Sequence, residues 1–233
     1  MTYASVQVDS SSARIEAYYD DLASRYDSSI SFFERMLVED GRQWAVSRAC
    51  GKTLEIGIGT GRNLAYYPRD VTLTGVDVSQ QMLSIANARA QALGQGVELH
   101  RASADDLDFP GASFDSVVGT LVLCSVPDDR AVLAEVARLL RPGGRLILLE
   151  HVRSPVWPVR LVERLLEPFM LRFEHDHLLR DPLDHLPNLG FAIETCERTK
   201  WGLIERLSAV RSGEMLSSSI FGLLSADAPN AAV

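Results

Sequence analysis

Residues 54–64 read Leu54-Glu55-Ile56-Gly57-Ile58-Gly59-Thr60-Gly61-Arg62-Asn63-Leu64, and no other stretch restricts the possible folds as strongly. A short apolar strand, 53–56, runs into a turn with three alternating glycines. Glycine is needed where the backbone turns sharply and a ligand must come closer than a Cβ permits. Asp77 follows twenty residues after Gly57 and ends a second apolar run, 71–76. A carboxylate at a strand tip beside such a loop can accept the hydroxyls of a ribose. The pair predicts a strand–loop–helix unit that binds an adenosine-containing ligand.

The rest of the chain continues the alternation. Further strands are expected at 97–102, 116–121 and 145–149, and helices near 62–67, 79–93 and 129–140. Ser79 is an N-cap for the second of these helices, and Pro142-Gly143-Gly144 stops the third. Upstream, Ser10-Ser11-Ser12 can cap a helix carrying Ile15, Tyr18, Tyr19, Leu22 and Tyr26 at helical spacing, with a second helix over about 30–48. Two late strands, 190–195 and 203–207, form a hairpin around Lys200-Trp201-Gly202. The fold class expected is α/β: a Rossmann-like, doubly wound seven-stranded sheet with a C-terminal antiparallel hairpin. One domain spans 1–225, with N-terminal helices at 14–50, a cofactor-binding core at 52–152 and an insertion at 153–188; residues 226–233 are expected to be disordered.

Within the insertion, 159–173 is amphipathic. Leu161, Val162, Leu165, Leu166, Phe169, Met170 and Phe173 share one half of the wheel, and Arg160, Glu163, Arg164 and Glu167 face away. Pro168 is expected to kink it. Two readings stand: a lid over an apolar acceptor, or a helix on a membrane surface. The mixed Arg and Glu face favours the lid.

Composition excludes some partners. A net charge of −8 disfavours nucleic acid, which needs a clustered basic surface. Cys50, Cys124 and Cys196 have no metal-type spacing, and their odd number suits a reducing, cytoplasmic setting. No basic-then-apolar leader or membrane-length apolar run is present, so no stable membrane insertion is expected, with surface association left open.

The loop also discriminates between cofactors. A dinucleotide site reads G-x-G-x-x-G/A, whereas here the third glycine comes one residue early and Arg62 takes the packing position. A nicotinamide oxidoreductase is therefore disfavoured. G-x-G-x-G after an acidic strand residue, Glu55, is the S-adenosylmethionine pattern.

With these motifs in order, residues 19–211 resemble the class I S-adenosylmethionine-dependent methyltransferases of the ubiquinone/menaquinone-type branch. The resemblance rests on Tyr19-Asp20-x-x-Ala23-x-x-Tyr26-Asp27, the 54–61 loop, and Gly75-Val76-Asp77-Val78-Ser79-x-x-Met82-Leu83. It continues through Ser103-Ala104-Asp105-Asp106-Leu107, Phe114-Asp115 and Leu139-Leu140-Arg141-Pro142-Gly143-Gly144. It implies that Gly57, Gly59 and Gly61 let the backbone meet the cofactor's amino-acid end, with Glu55 orienting that loop or the ammonium. Asp77 would hold the ribose, Val78 and Met82 would pack on the adenine, and the Ala104 amide would meet a ring nitrogen. Ser103 stands where the family often has an acid, so Asp105 is the substitute partner for the adenine amino group. Thr120 and Leu121 would lie under the methionine portion, and Tyr19, Tyr26 and Asn63 complete the candidate set.

For the acceptor, residues 120–126 and Leu149-Glu150-His151-Val152 most resemble thiol S-methyltransferase-like members, and similar segments occur in phospholipid N-methyltransferases. Quinone C-methylating enzymes typically carry Arg-Asn where this chain has Cys124-Ser125. The expected activity is methyl transfer to a small-molecule acceptor, a thiol or another apolar or aromatic metabolite. Phospholipid N-methylation and quinone-type C-methylation are alternatives, and a non-catalytic cofactor-binding or partner-activating protein is an alternative of another class. His151, ending the fifth strand, is the candidate general base, with a packed histidine as its bland counterpart. Cys124 reads as a small buried hydrophobe. His175, Asp176, His177 and His185 read as a solvated loop, so no metal site is expected.

Overall fold

The computed structural model describes residues 10–212. Burial explains the strands. β1 (Lys52–Ile56), β2 (Thr72–Asp77) and β4 (Phe114–Thr120) are buried along nearly their whole length. Continuous burial is the mark of parallel strands covered on both faces. β3 (Val97–Arg101) carries Glu98, His100 and Arg101, stays half-open, and lies at an edge. β5 (Leu140–His151), β6 (Phe191–Thr199) and β7 (Ile204–Arg211) complete a seven-stranded sheet in the order β3-β2-β1-β4-β5-β7-β6. β1 to β5 are parallel; β7 runs antiparallel to both β5 and β6. This is the expected Rossmann-like sheet with its closing hairpin. Winding reverses between β1 and β4, which opens a crevice beyond their carboxyl ends.

The helices are α1 (Ser10–Phe33), α2 (Gly41–Val46), α3 (Gln80–Leu93), α4 (Asp129–Leu139) and α5 (Trp157–Phe173). One sheet face packs Leu54, Ile56, Leu146 and Leu148 with Val132, Leu133 and Val136 of α4. The other packs Val118, Ile147 and Leu149 with Ala45 and Val46 of α2 and Leu83 and Ala90 of α3. Ser79 caps α3 as expected, its Oγ accepting from the Met82 amide at 3.1 Å.

Several local expectations are corrected. The break expected near residue 30 comes later: α1 runs to Phe33 and continues as a π-helical turn, Glu34–Val38, before α2. The helix expected at 62–67 is one 3₁₀ turn, Leu64–Tyr66, because Tyr67 precedes a proline and is extended (φ −64, ψ 140). Pro142-Gly143-Gly144 does not separate α4 from its strand. It forms an irregularity inside β5, whose pairing with β4 jumps from Phe114↔Leu140 to Ser116↔Arg145. Pro168 leaves α5 one uninterrupted helix. The tail at 226–233 lies outside the described residues.

The largest correction concerns the orientation of α5. Glu163, placed on the outward half of the wheel, is buried, whereas Leu161, Val162, Leu165, Leu166, Phe169 and Phe173 are exposed. Periodicity establishes which residues share a face, not which face meets the protein.

Candidate cofactor and active site

A cavity of about 720 Å³ opens where the sheet reverses. Its floor is the glycine loop and the tips of β1, β2 and β4, and one wall is α1. Gly57 is required by contact: a Cβ there would lie 2.3 Å from Val122 Cγ2, and its φ is +61. Gly61 has a different task from the one implied by the resemblance. It does not line the cavity; a Cβ there would meet Leu64 Cδ1 at 2.7 Å and the Ala86 backbone of α3 at 3.2 Å. Close helix packing, sought in vain at Arg62, is thus supplied by Gly61.

Asp77 lines the cavity at the tip of β2. Its Oδ2 accepts from the Gly59 amide at 2.8 Å and its Oδ1 from the Ser79 amide at 2.9 Å. Burial pushes its pKa up, and these amide bonds oppose that shift. An ionised carboxylate has about four acceptor sites, so lone pairs remain for a diol. Val78, Met82, Ser103 and Ala104 continue the wall. Asp105 is not on it; it accepts a hydrogen bond from the Ser103 hydroxyl and so orients a residue that is.

Beyond Gly59, the lining continues with Gly57 and with Thr120 and Leu121 at the tip of β4. Leu121 is left-handed, with φ 55, and its amide donates to Leu149 O at 2.8 Å. Left-handed backbone is costly for a branched residue, and such strain concentrates at functional sites.

Beneath the loop is a buried polar group that the sequence only partly revealed. Asn63 donates to Glu55 Oε1 at 2.7 Å and to Thr120 Oγ1 at 3.0 Å, and accepts from Arg42 at 3.0 Å. Glu55 and Asn63 do not line the cavity; their contacts fit orientation of the loop. Burial raises the Glu55 carboxyl to about 7. Arg42 and Arg62 both converge on Glu34 of the π-helical turn, with Arg62 Nε 3.0 Å from Glu34 Oε2. Asp27 pairs with Arg89 and accepts from Thr60 Oγ1 at 2.6 Å. Asp20 accepts from the Ser79 hydroxyl at 2.6 Å. These ionic ties seat α1 on the loop. Arg62, an anomaly in the loop pattern, and the motif acids Asp20 and Asp27 were the sequence signals for them.

α1 supplies Ile15, Tyr19 and Tyr26 to the cavity. Tyr19 is paired with Ser125, and burial holds its phenol well above the ordinary value. Tyr26 is raised to about 12 for the same reason. Both stay protonated near neutrality. Val122, Ser125, Val126 and Pro127, unassigned by the sequence reading, line the cavity as well.

His151 is placed elsewhere. It does not line the cavity; its Nε2 lies 3.9 Å from Glu163 and its Nδ1 is buried without a partner. Burial lowers its pKa, so it is neutral at pH 7. His177 donates its amide to Cys124 O at 2.8 Å, and His185 sits 3.7 Å from Asp129. Burial raises the Cys124 thiol well above its ordinary value.

Residues 54–148 match the family pattern described as a methyltransferase domain. A phosphatidylethanolamine N-methyltransferase of Cereibacter sphaeroides is 36% identical over 121 residues, 51% of this chain and 60% of the relative. A thiol S-methyltransferase of Rattus norvegicus is 39% identical over 119 residues, 49% of each chain. The chain therefore spans about half of these two relatives. A demethylmenaquinone methyltransferase of Tropheryma whipplei is 32% identical over 164 residues, 64% of this chain and 68% of the relative. Sharing that identity over two thirds of a methyltransferase's length, the chain belongs to the class I S-adenosylmethionine-dependent methyltransferase family.

Proposed function

We propose that this protein transfers the methyl group of S-adenosylmethionine to a small, apolar thiol. The observation that carries the cofactor part is Asp77, whose carboxylate lines a 720 Å³ cavity while bonded to the glycine loop. Asp77 would hold the ribose, Val78, Met82 and Ala104 the adenine, and Gly57, Gly59 and Leu121 the amino-acid end. The bound cofactor supplies an activated sulfonium methyl. The residues of this chain contribute alignment and exclusion of water.

The acceptor reading rests on which groups the cavity lacks. Among the described residues lining it, the titratable groups are Asp77, Tyr19 and Tyr26. Asp77 is committed to the loop, and burial keeps both phenols protonated. None is a base near neutrality. A thiol with the acidity of a cysteine side chain, pKa about 8.5, is partly thiolate near neutrality and brings its own nucleophile, whereas an alkyl ammonium or a neutral phenol with a pKa of about 10 needs a proton removed. Ile15, Leu121, Val122, Val126 and Pro127 give the acceptor end an apolar lining. A cytoplasmic setting belongs to this reading, supported by three cysteines that form no disulfide. Incubation with S-adenosylmethionine and a panel of thiols, phenols, amines and quinols, read by mass spectrometry, tests it. A methylated thiol is expected. A methylated amine or quinol alone would replace the acceptor, and binding without turnover would leave a non-catalytic cofactor protein.

A further inference from the structure

α5 is held to the body by its acids. Glu163 accepts from the Ser154 amide at 3.0 Å, and Glu167 accepts from the Leu178 amide at 2.7 Å. These are the only carboxylates on the helix, and both point inward. The opposite face carries Leu161, Val162, Leu165, Leu166, Phe169 and Phe173, all exposed, with Leu165 at 72%. Phe169 and Phe173 lie against each other with tilted rings, centroids 4.6 Å apart and planes at 42°. At the amino end, Trp157 is 73% and Trp201 71% exposed. The two tryptophans belong to one rim, since Ser154 Oγ donates to Trp201 O at 2.6 Å just before α5 begins. An apolar face of this size, ordered by buried anchors, is an interaction surface rather than scattered exposure.

Charge identifies what it meets. Arg164 and Arg172 are exposed on α5 and have no carboxylate partner among the described residues. Arg160 donates to the carbonyls of Ser154 and Pro155. Two copies packed face to face would oppose these arginines with no acid of α5 to offset them. Phosphate headgroups offset them directly. Apolar side chains flanked by arginine and edged by tryptophan are the composition of a helix lying in a bilayer interface. None of the described helices is long and apolar enough to cross a membrane, so the contact is peripheral. We propose that α5 and the Trp201 turn dock this protein on the surface of an anionic lipid bilayer. The cavity is left free of α5, whose residues do not line it, so docking and cofactor binding are compatible.

Co-sedimentation with vesicles tests this, using phosphatidylcholine alone and phosphatidylcholine with phosphatidylglycerol. The wild-type chain is expected to bind the anionic vesicles and to be released by high salt. Leu165→Glu with Phe169→Glu should abolish this binding, and Arg164→Gln with Arg172→Gln should weaken it by about tenfold or more. All four positions are exposed, so melting by circular dichroism and affinity for S-adenosylhomocysteine should be unchanged. Absence of wild-type binding to the anionic vesicles overturns the proposal. So does a dimer in analytical ultracentrifugation that Leu165→Glu with Phe169→Glu dissolves, because the face then belongs to a second copy.

Discussion

Asp77 and His151 were both read from the ends of strands, and the structure separates them by what surrounds each. Asp77 reaches the cavity and holds the Gly59 amide. Asp77→Ala removes both the loop tie and the ribose acceptor. The expected loss in affinity for S-adenosylhomocysteine is about 2–3 kcal/mol, the range for hydrogen bonds to a charged group. Calorimetry on the folded variant checks it, and unchanged affinity would remove the ribose assignment. His151 lies off the cavity beside Glu163. His151→Gln is therefore expected to leave thiol turnover far short of the roughly 10²-fold loss that follows removal of a general base. Steady-state kinetics across pH 6 to 9 decide between the two. A hundredfold drop with loss of a limb near neutrality would restore His151 as the base. The strand pattern located both side chains correctly at β-strand ends, but only packing from α5 reveals that one of those ends is covered.

At the scale of elements, what the sequence disclosed depended on whether a local rule was enough. The glycine loop, β2 with its terminal acid, and the α3 cap are local, and each formed as read. The docking of α1 is not local. Glu34 meets Arg42 eight residues on and Arg62 twenty-eight residues on, and the π-helical turn that aims Glu34 has no spacing signature. The inward acids of α5 are equally hidden, since their partners are the amides of Ser154 and Leu178 in flanking loops. Glu34→Ala is the test of the α1 seat. It leaves two largely buried arginines without their shared carboxylate, a cost of about 2–4 kcal/mol. The melting temperature should fall by about 5–10 °C. Amide exchange should rise in α1 before it rises in β1 or β4, and cofactor affinity should weaken because Tyr19 and Tyr26 leave the wall. A uniform rise in exchange across the sheet would mean that Glu34 is only a core ion pair.

For the whole molecule, the buried carboxyls set how stability responds to pH. Burial raises Glu150 to about 8, even though its oxygens accept from the Val122 and Leu123 amides. Glu55 is raised to about 7, and Glu205 is raised as well. An unfolded glutamate releases its proton near pH 4.5, so between that value and about 8 the folded state binds more protons. Stability must then fall as pH rises through this window. Two influences act the other way. His151 and His177 are lowered by burial, so their contributions are lost as pH drops below about 6.5. Asp27, lowered by the Thr60 hydroxyl and Arg89, and Glu194, lowered by Arg145, lose theirs under more acidic conditions still. The raised carboxyls, Glu55, Glu150 and Glu205 with Glu163 and Glu167, outweigh the two histidines, which places maximum stability on the mildly acidic side of neutral. Melting temperature measured from pH 5 to 8.5 should therefore decline above pH 6. Glu150→Gln keeps an acceptor oxygen for the two amides and removes the ionisation, so its decline should be shallower. Parallel declines for the two proteins would show that Glu150 does not titrate in that range, and would shift the alkaline loss to Glu55 and Glu205.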